Sequence, residues 1–353
     1  MEDEKWFEDK EKALEVIKEL GGLQLEGLSE NLKDDFEIVM KSVLLDGRAL
    51  EFASDRLKND TFIVTEAVKN NADSLRFASN ELKNNQKIVE EAVKKDGYSL
   101  RWASNEVKDN DYIVLLAIQD YAGSIKFASE RIKDTKYIVE RAIKKDPFIY
   151  ETISSRLQND KDIGLMAVKE EASIYASFSP ALQNDKEILL AACKDTSWAV
   201  EYASPELKSN KEILLEIFKK DGLAFDFISE DLKKDKEILM TVVKTYGNSL
   251  RLTSSELRND KELILTAVKS EGCSIQWASD HLKNDLEVVQ EAIKNNKLAF
   301  AFIGEEIKNK YFSKEKLYSA ESIKYQTSKN ITTEKEKSKR ETRSRIRSKV
   351  NER

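Results

Sequence analysis

The sequence predicts an all-α protein, an α-solenoid of about twelve tandem repeats of 25 residues each. Two observations predict this fold: a strict 25-residue period in the apolar residues, and a composition that favours helices. Charged residues make up 35% of the 353 residues, and only three residues are proline. A period of this length is typical of stacked repeats, in which no single repeat buries its apolar face alone.

The period is clearest in one column, by which we mean the residues that hold the same position in successive repeats. Its members are all leucine, valine or isoleucine and are spaced by 25 residues without insertion or deletion: Leu32, Leu57, Leu82, Val107, Ile132, Leu157, Leu182, Leu207, Leu232, Leu257, Leu282 and Ile307. A second apolar column follows six residues later, from Ile38 to Val288. Tandem repeats are therefore predicted over residues 32–310.

Each repeat is predicted to begin with a helix, near residues 36–45, 61–70 and so on. In one repeat Ile63, Val64, Ala67 and Val68 follow the i, i+1, i+4, i+5 pattern of a helix with one apolar stripe. Asp or Asn fills the Asp60 column in ten repeats: Asp35, Asp60, Asn85, Asn110, Asp160, Asp185, Asn210, Asp235, Asp260 and Asp285. These residues are interpreted as helix N-caps. Metal binding is the alternative, but capping explains their position without an ion.

A second short helix is expected after the first one. Five glycines share the column that separates the two: Gly47, Gly97, Gly222, Gly247 and Gly272. Glycine ends helices readily because it adopts positive φ. Pro147 stands in the same column and cannot take positive φ, so the turn need not be left-handed in every repeat.

A serine column follows the second helix and its large aromatic residues, as in Phe77-Ala78-Ser79. Pro180 and Pro205 directly follow Ser179 and Ser204, and proline fits the first position of a helix. The serines are therefore interpreted as N-caps of a short helical turn rather than as phosphorylation sites. Each repeat then contains a long helix, a short helix and a capped turn.

The ends of the chain depart from the pattern. Residues 1–31 are predicted to form a degenerate N-terminal capping unit, and residues 311–327 a C-terminal capping helix. Residues 328–353 form a basic polar tail that is expected to be disordered. Residues 329–353 carry a net charge of +6, so −12 remains for the rest of a chain whose net charge is −6.

The sequence also predicts the cellular compartment of the protein. No apolar run approaches the roughly 20 residues that span a bilayer, and the acidic start lacks the apolar segment of a signal peptide. A cytoplasmic protein is expected, or one in a host cytosol if it is secreted by a non-classical route. Cys193 and Cys273 lie in different columns, which favours reduced thiols over a disulfide.

Three segments agree in register with a known family: Leu282-Lys283-Asn284-Asp285, Ala267-Val268-Lys269, and the run from Phe77 to Leu82. They resemble the domain-of-unknown-function family 4116 over about residues 28–310. The family's domain corresponds to about two of these repeats. The resemblance implies a helical repeat, and it supplies no activity and no catalytic residues.

Nothing in the sequence predicts an enzyme or a cofactor. The one histidine, His281, lies in a column of mixed polar residues and is expected at the surface. One histidine and two distant cysteines do not form a zinc site, and the sequence contains neither a phosphate-binding loop nor a nucleophile elbow. No catalytic, cofactor or metal residues are therefore predicted.

The leading functional hypothesis is a non-enzymatic scaffold that binds a protein or peptide. One column of the first helix becomes apolar in five consecutive repeats: Leu165, Leu190, Leu215, Met240 and Leu265. Thr65, Glu90 and Glu140 hold the same position elsewhere, so this position can face water. The five side chains are either buried between repeats or form a partly exposed ridge for an apolar partner segment.

The alternative hypothesis is contact with nucleic acid or an anionic surface through the basic tail. The residues that would make it are Arg340, Arg343, Arg345 and Arg347. The acidic remainder of the chain opposes wide phosphate contact. Neither hypothesis identifies the partner.

Overall fold

The computed structural model describes residues 7–311, and this range is helical without any β-strand. The prediction of an all-helical chain of tandem repeats is therefore confirmed for these residues. The chain divides into two compact units, Met1–Leu182 and Gln183–Arg353. We call them the N-terminal body and the C-terminal body.

The first helices of the N-terminal body are ten or eleven residues long. They are α1 (Lys10–Leu20), α2 (Phe36–Leu45), α3 (Thr61–Asn70), α4 (Gln86–Lys95), α5 (Asp111–Asp120), α6 (Lys136–Lys145) and α7 (Lys161–Glu170). The helices predicted at 36–45 and 61–70 are found at these residues.

Three first helices of the C-terminal body are shorter, at seven or eight residues, so the predicted ten-residue bounds are wrong at their C-terminal ends. The helices are α8 (Lys186–Ala192), α9 (Lys211–Phe218), α10 (Lys236–Val242), α11 (Lys261–Ser270) and α12 (Leu286–Asn295). The last helix within the described residues is α13 (Glu305–Tyr311). The predicted capping helix at 311–327 lies beyond them, apart from Tyr311, and so does the predicted tail.

The predicted caps of the first helices are confirmed. The Asp60 carboxylate accepts the backbone N–H groups of Phe62 at 2.9 Å and Ile63 at 3.0 Å. These N–H groups lie in the first turn and have no partner within the helix. Thr135, the exception in sequence, makes no such bond, because its hydroxyl donates to the Arg131 carbonyl at 2.7 Å.

The second element of each repeat is a 3₁₀-helix. In the N-terminal body these helices are Gly22–Gly27, Gly47–Phe52, Ala72–Phe77, Gly97–Trp102, Ala122–Phe127, Pro147–Thr152 and Ala172–Ser177. In the C-terminal body they are Trp198–Tyr202, Leu223–Phe227, Gly247–Leu252, Gly272–Trp277 and Lys297–Ala301.

The third element is a single helical turn. It is α-helical at Glu30–Lys33, Asp55–Lys58, Asn80–Lys83, Glu130–Lys133, Ser155–Gln158, Pro180–Gln183 and Asp280–Lys283. It is 3₁₀ at Val107–Asp109, Leu207–Ser209, Leu232–Lys234 and Leu257–Asn259.

In most repeats the serine before this turn caps it, as predicted, and also joins one repeat to the previous one. Ser29 makes no side-chain cap bond, and the Ser179 hydroxyl has no partner in the described residues. The Ser104 hydroxyl accepts the Val107 N–H at 3.2 Å and donates to Asn84 Oδ1 at 2.5 Å. The Ser104 N–H donates to the Lys83 carbonyl at 3.0 Å. Ser279 in the C-terminal body repeats the pattern with Leu282 and Asn259. The sequence predicted the cap but not this link across 20 residues.

The expectation of positive φ in the glycine column is wrong. Among the described residues the one glycine with positive φ is Gly21, which lies outside that column. The column instead packs closely against the next repeat. A Cβ on Gly97 would lie 2.2 Å from the Ala117 carbonyl oxygen, and one on Gly272 would lie 2.3 Å from that of Ala292. Close approach of two backbones is therefore the reason for glycine there.

Within each body the first helices form one layer and the 3₁₀-helices form another, with the core between them. Ile63, Val64, Ala67 and Val68 of α3 are fully buried, and so is Leu75 of the 3₁₀-helix that follows. Burying one such Val, Ile or Leu side chain contributes about 1.5–3 kcal/mol. The other side of the first helices faces solvent, and we call it the outer face.

Candidate binding surface

The outer face is where the sequence placed its candidate residues. Leu165, Leu190, Leu215, Met240 and Leu265 are all half-buried. Leu165 belongs to the N-terminal body and the other four to the C-terminal body. Each lies one position beyond a fully or largely buried column, at the border between core and solvent. Their side chains are neither sealed in the core nor fully exposed, so part of each is accessible.

The outer face of the C-terminal body is charged next to this row. Lys211 lies 2.8 Å from both Asp235 and Glu237 of the next repeat. Lys236 bridges Asp260 at 2.6 Å and Glu262 at 3.2 Å. Lys261 repeats the arrangement with Asp285 and Glu287, at 2.9 Å each. One lysine therefore contacts both the N-cap carboxylate and a first-turn carboxylate of the following helix.

These ion pairs shift the pKa values of both partners. Hydrogen bonds to Asp235 and Glu237 raise the pKa of Lys211. Partial burial of Asp235 acts to raise its pKa, but hydrogen bonds from Lys211 and the Ile238 N–H lower it overall. Asp260 and Asp285 follow the same pattern. The caps of α10, α11 and α12 are therefore held ionised.

The outer face of the N-terminal body repeats this lysine arrangement at Lys10 and Lys136. It also carries exposed aromatic residues. Phe62 is 61% exposed and its ring stacks on Phe36, with the ring centroids 6.4 Å apart. Tyr112 and Tyr137 are also exposed, and their hydroxyls donate to Glu90 and Asp111 respectively. Exposed aromatic rings are common at the binding surfaces of proteins.

Two shallow grooves lie on this face. The first, of about 470 Å³, lies between α1 and α2, and its apolar lining residues are Leu14, Phe36, Met40 and Leu44. Its charged lining residues are Glu15, Lys18, Glu37 and Lys41. The two signs balance, so the groove has no clear electrostatic preference.

The second groove, of about 500 Å³, lies between α5 and α6. Its lining residues are Tyr112, Leu115, Leu116, Ile118, Gln119, Arg141, Lys144 and Lys145. The apolar residues come from α5, whereas all three cations come from α6. This groove therefore combines an apolar floor with a rim of one sign.

A cluster of aromatic residues and cations lies on the 3₁₀ layer of the N-terminal body. The Arg101 guanidinium lies 4.0 Å from the Tyr98 ring centroid and 4.6 Å from that of Trp102. Asp73 accepts hydrogen bonds from both Arg101 and Trp102 at 2.7 Å. Partial burial acts to raise the pKa of Asp73, but these hydrogen bonds lower it overall. The cluster joins residues 28 and 29 positions apart and so stabilises the repeat interface, although the buried Arg101 Nε has no hydrogen-bond partner in the described residues.

The groove between α5 and α6 was not predicted from the sequence. Leu115 shares the column of Glu90 and Glu140, but the pattern of that column does not connect it with Leu116 or with the cations of α6. The available signal was the 25-residue period itself. Leu116 and Arg141 hold the same position in adjacent repeats, so they belong to neighbouring helices of one face.

Metal-ligating side chains are not clustered in the described part. Residues 7–311 contain no cluster of three or more His, Cys, Asp or Glu side chains that could hold a metal. His281 is exposed, in agreement with the sequence prediction. Cys193 and Cys273 are buried free thiols, and burial raises the pKa of Cys193 to about 12.

No helix within residues 7–311 is long and apolar enough to cross a membrane. Arg340, Arg343, Arg345 and Arg347, the residues of the alternative hypothesis, lie outside the described residues.

The fold and its repeating caps define a tandem helical-repeat protein. The family model described as "Domain of unknown function (DUF4116)" matches the chain eight times, at residues 9–58, 35–83, 60–108, 110–158, 135–183, 160–208, 210–258 and 260–308. The chain belongs to this family. Comparison with curated proteins finds no match, and comparison with solved structures finds none.

The family matches agree in register with the structure. Each begins at the N-cap residue of a first helix, and the earliest begins at Asp9, which caps α1. The resemblance therefore starts upstream of residue 28, where the sequence analysis placed it. Each match spans two repeats, as expected.

Proposed function

We propose that the protein is a non-enzymatic helical-repeat scaffold that binds a protein or peptide through its outer face. The residues proposed to make this contact are Leu165, Leu190, Leu215, Met240 and Leu265. The 25-residue period predicts that about twelve repeats stack as a solenoid, and this arrangement stays a prediction.

One observation carries the proposal. The fold accepts charged residues in this column, because Glu90 and Glu140 hold it in α4 and α6 without disturbing either helix. Folding therefore does not require leucine or methionine at the half-buried equivalents in α7 to α11. Accessible apolar side chains that folding does not require favour a role in binding, and flexible Met and Leu suit such contact.

The double variant Leu190→Glu with Leu215→Glu tests the proposal. Since glutamate is accommodated at this position in the N-terminal body, the variant is expected to keep its helical circular dichroism and its thermal melt. Partners identified by proximity labelling and mass spectrometry with the wild-type protein should be lost. A folded variant that retains these partners would exclude the row as the binding surface.

A matched control separates apolar contact from added charge. Thr241 and Thr266 are half-buried on the outer face of α10 and α11, one position beyond the proposed row. Thr241→Glu with Thr266→Glu adds the same charge without removing an apolar side chain. This control is expected to retain the partners. Unfolding of the leucine variant, with the control intact, would favour burial over binding.

A second function rests on the charge of +6 over residues 329–353. Nucleic acid or an anionic surface would contact Arg340, Arg343, Arg345 and Arg347. Binding of this kind weakens steeply with salt because counterions are released. The test is the affinity for a DNA oligonucleotide at salt concentrations from about 50 to about 200 mM, a range over which such binding weakens strongly. The full chain is compared with a chain that lacks residues 328–353. A flat salt slope would argue against it.

A cytoplasmic location is proposed along with the scaffold function. Its support is the state of Cys193 and Cys273, which are buried, unpaired thiols. Free thiols of this kind persist most readily in reducing compartments.

A further inference from the structure

Helix α5 has an apolar stripe on each of two sides. Ile113, Val114, Ala117 and Ile118 face the core and are at most 3% exposed. Tyr112, Leu115, Leu116 and Gln119, at i, i+3, i+4 and i+7, line the groove on the outer face. Tyr112 is 55% exposed, and both leucines are half-buried. A helix that is apolar on both sides is normally covered on both.

The neighbouring helices do not share this second stripe. The positions of Leu115 and Leu116 are held by Glu90 and Glu91 in α4, and by Glu140 and Arg141 in α6. Among α4, α5 and α6 the partly exposed apolar strip therefore belongs to α5 alone, although α7 carries Leu165 and Met166 at the same positions. Its neighbours show that polar residues are compatible with the fold at these positions.

The charges around the groove favour an acidic partner. Arg141 and Lys144 are exposed on α6, and no carboxylate of the described residues forms an ion pair with either. Lys145 donates to the Asp120 carbonyl at 2.6 Å, which leaves its positive charge without a carboxylate. Unpaired cations beside an apolar floor favour a ligand that carries both carboxylates and apolar side chains.

The acids nearby do not neutralise this rim. Glu90 on α4 is held by Lys94 at 2.6 Å and by the Tyr112 hydroxyl at 2.9 Å. Glu140 on α6 is half-buried and is not among the residues that line the groove. The α6 side of the groove therefore keeps a net positive charge.

We propose that the groove between α5 and α6 binds an acidic amphipathic helix of a partner protein. Its apolar residues, at i, i+3, i+4 and i+7, pack on Leu115, Leu116 and Tyr112. Its carboxylates face Arg141, Lys144 and Lys145. The protein's own segment 329–353 is excluded as the occupant because its charge has the same sign as the rim. This inference rests on the proposed scaffold function and names the partner's chemistry.

The experiment uses the full chain and designed peptides. The probe is a fluorescein-labelled peptide of Leu and Glu with one apolar face, and its Kd is measured by fluorescence anisotropy at physiological salt. One control peptide scrambles the same composition to remove the apolar face, and another replaces every Glu with Lys. The wild-type protein is expected to bind the acidic amphipathic peptide at least tenfold more tightly than either control.

Two variants locate the binding. Arg141→Glu with Lys144→Glu reverses the charge of the rim and is expected to raise the Kd at least tenfold. Leu116→Gln removes the apolar contact and is expected to do the same. The matched control is Lys244→Glu with Lys269→Glu. These two lysines hold the Lys144 column in the C-terminal body, so the control changes the net charge of the protein by the same amount. It should leave the Kd within twofold of wild type.

Several outcomes would overturn the proposal. Equal binding of the amphipathic and scrambled peptides would remove the requirement for a helix face. An unchanged Kd in the rim variant, with a native circular dichroism spectrum, would remove the groove as the site. Rim-dependent binding of anionic vesicles or single-stranded DNA, but not of the peptide, would replace the partner helix with another ligand.

Failure here and failure of the scaffold proposal are distinguishable. The Leu190→Glu with Leu215→Glu variant leaves the α5–α6 groove unaltered and is expected to bind the peptide as wild type does. If the peptide fails to bind while that variant loses its cellular partners, the scaffold proposal stands without this groove. If the peptide binds and the partners persist, the groove stands and the leucine row does not.

Discussion

The two bodies are built on the same buried columns but present different outer faces. In the N-terminal body the outer face carries Phe62, Tyr112 and Tyr137, all exposed. In the C-terminal body the Phe62 column is acidic in every repeat, as at Glu212, Glu237 and Glu262, and lysines bridge successive repeats there. The N-terminal body has such a bridged acid only at Glu37 and Asp162. The same columns are buried in both bodies, so folding requires neither the aromatic nor the charged outer face.

This difference separates what the repeat requires from what it permits. The core columns pack against neighbouring repeats and hold apolar residues or small serines such as Ser42 and Ser74, because buried charge is costly. The outer columns accept aromatic, aliphatic, acidic or basic residues on the same helix geometry. Variation in these columns can therefore change partners while the fold is maintained.

The largest expected effect tests whether the two cores are equivalent. Leu100 and Leu250 hold the same column in the two bodies, and both are fully buried. Leu100→Ala and Leu250→Ala should each lower the free energy of unfolding by about 2–5 kcal/mol, because each leaves a cavity. Urea denaturation measures the loss, and hydrogen exchange by mass spectrometry assigns it to one body.

Equal losses would confirm that the bodies share one core design. A loss under about 1 kcal/mol for Leu250→Ala alone would contradict it and would indicate looser packing in the C-terminal body. The conservative change Leu→Met at each site is the control, since it preserves volume.

A smaller effect is expected for the serine caps. Ser104→Ala and Ser279→Ala should each lower the free energy of unfolding by about 0.5–2 kcal/mol, because each removes an N-cap. The Ser179 hydroxyl is buried and has no hydrogen-bond partner in the described residues. Ser179→Ala is therefore the matched control and should cost less than either. Thermal melts of the three variants decide this, and three equal losses would refute the capping role.

The smallest effect concerns acid stability of the C-terminal body. Asp235, Asp260 and Asp285 have folded-state pKa values below the ordinary value of 3.8. As the pH falls, these carboxylates are therefore protonated in the unfolded chain before they are protonated in the folded chain. The stabilisation is therefore present above about pH 4 and is lost as the pH falls through the folded-state pKa values.

The triple variant Asp235→Asn, Asp260→Asn, Asp285→Asn should flatten this acid dependence. Asn85 and Asn110 already cap α4 and α5, so asparagine retains the cap and removes only the charge. Urea denaturation at pH 3 and pH 6 compares the variant with wild type. An acid loss equal to that of wild type would show that these ion pairs do not contribute.

The sequence alone determined the repeat, the start of each first helix and most of the caps, while α8, α9 and α10 end earlier than predicted. These features depend on residues close together in the chain: Asp60 caps N–H groups two and three residues away, and the stripe from Ile63 to Val68 lies within two turns. Local hydrogen bonds and helical periodicity are readable from one segment because they need no partner from elsewhere.

Only the tertiary structure decided how one repeat meets the next. The glycine of the turn was expected to supply a left-handed φ, yet Gly97 is needed because its backbone approaches Ala117. The Ser104–Asn84 hydrogen bond and the groove of Leu116 and Arg141 likewise join residues 20 and 25 positions apart. Distances between side chains on adjacent helices follow from packing, which the periodicity of a single helix does not specify.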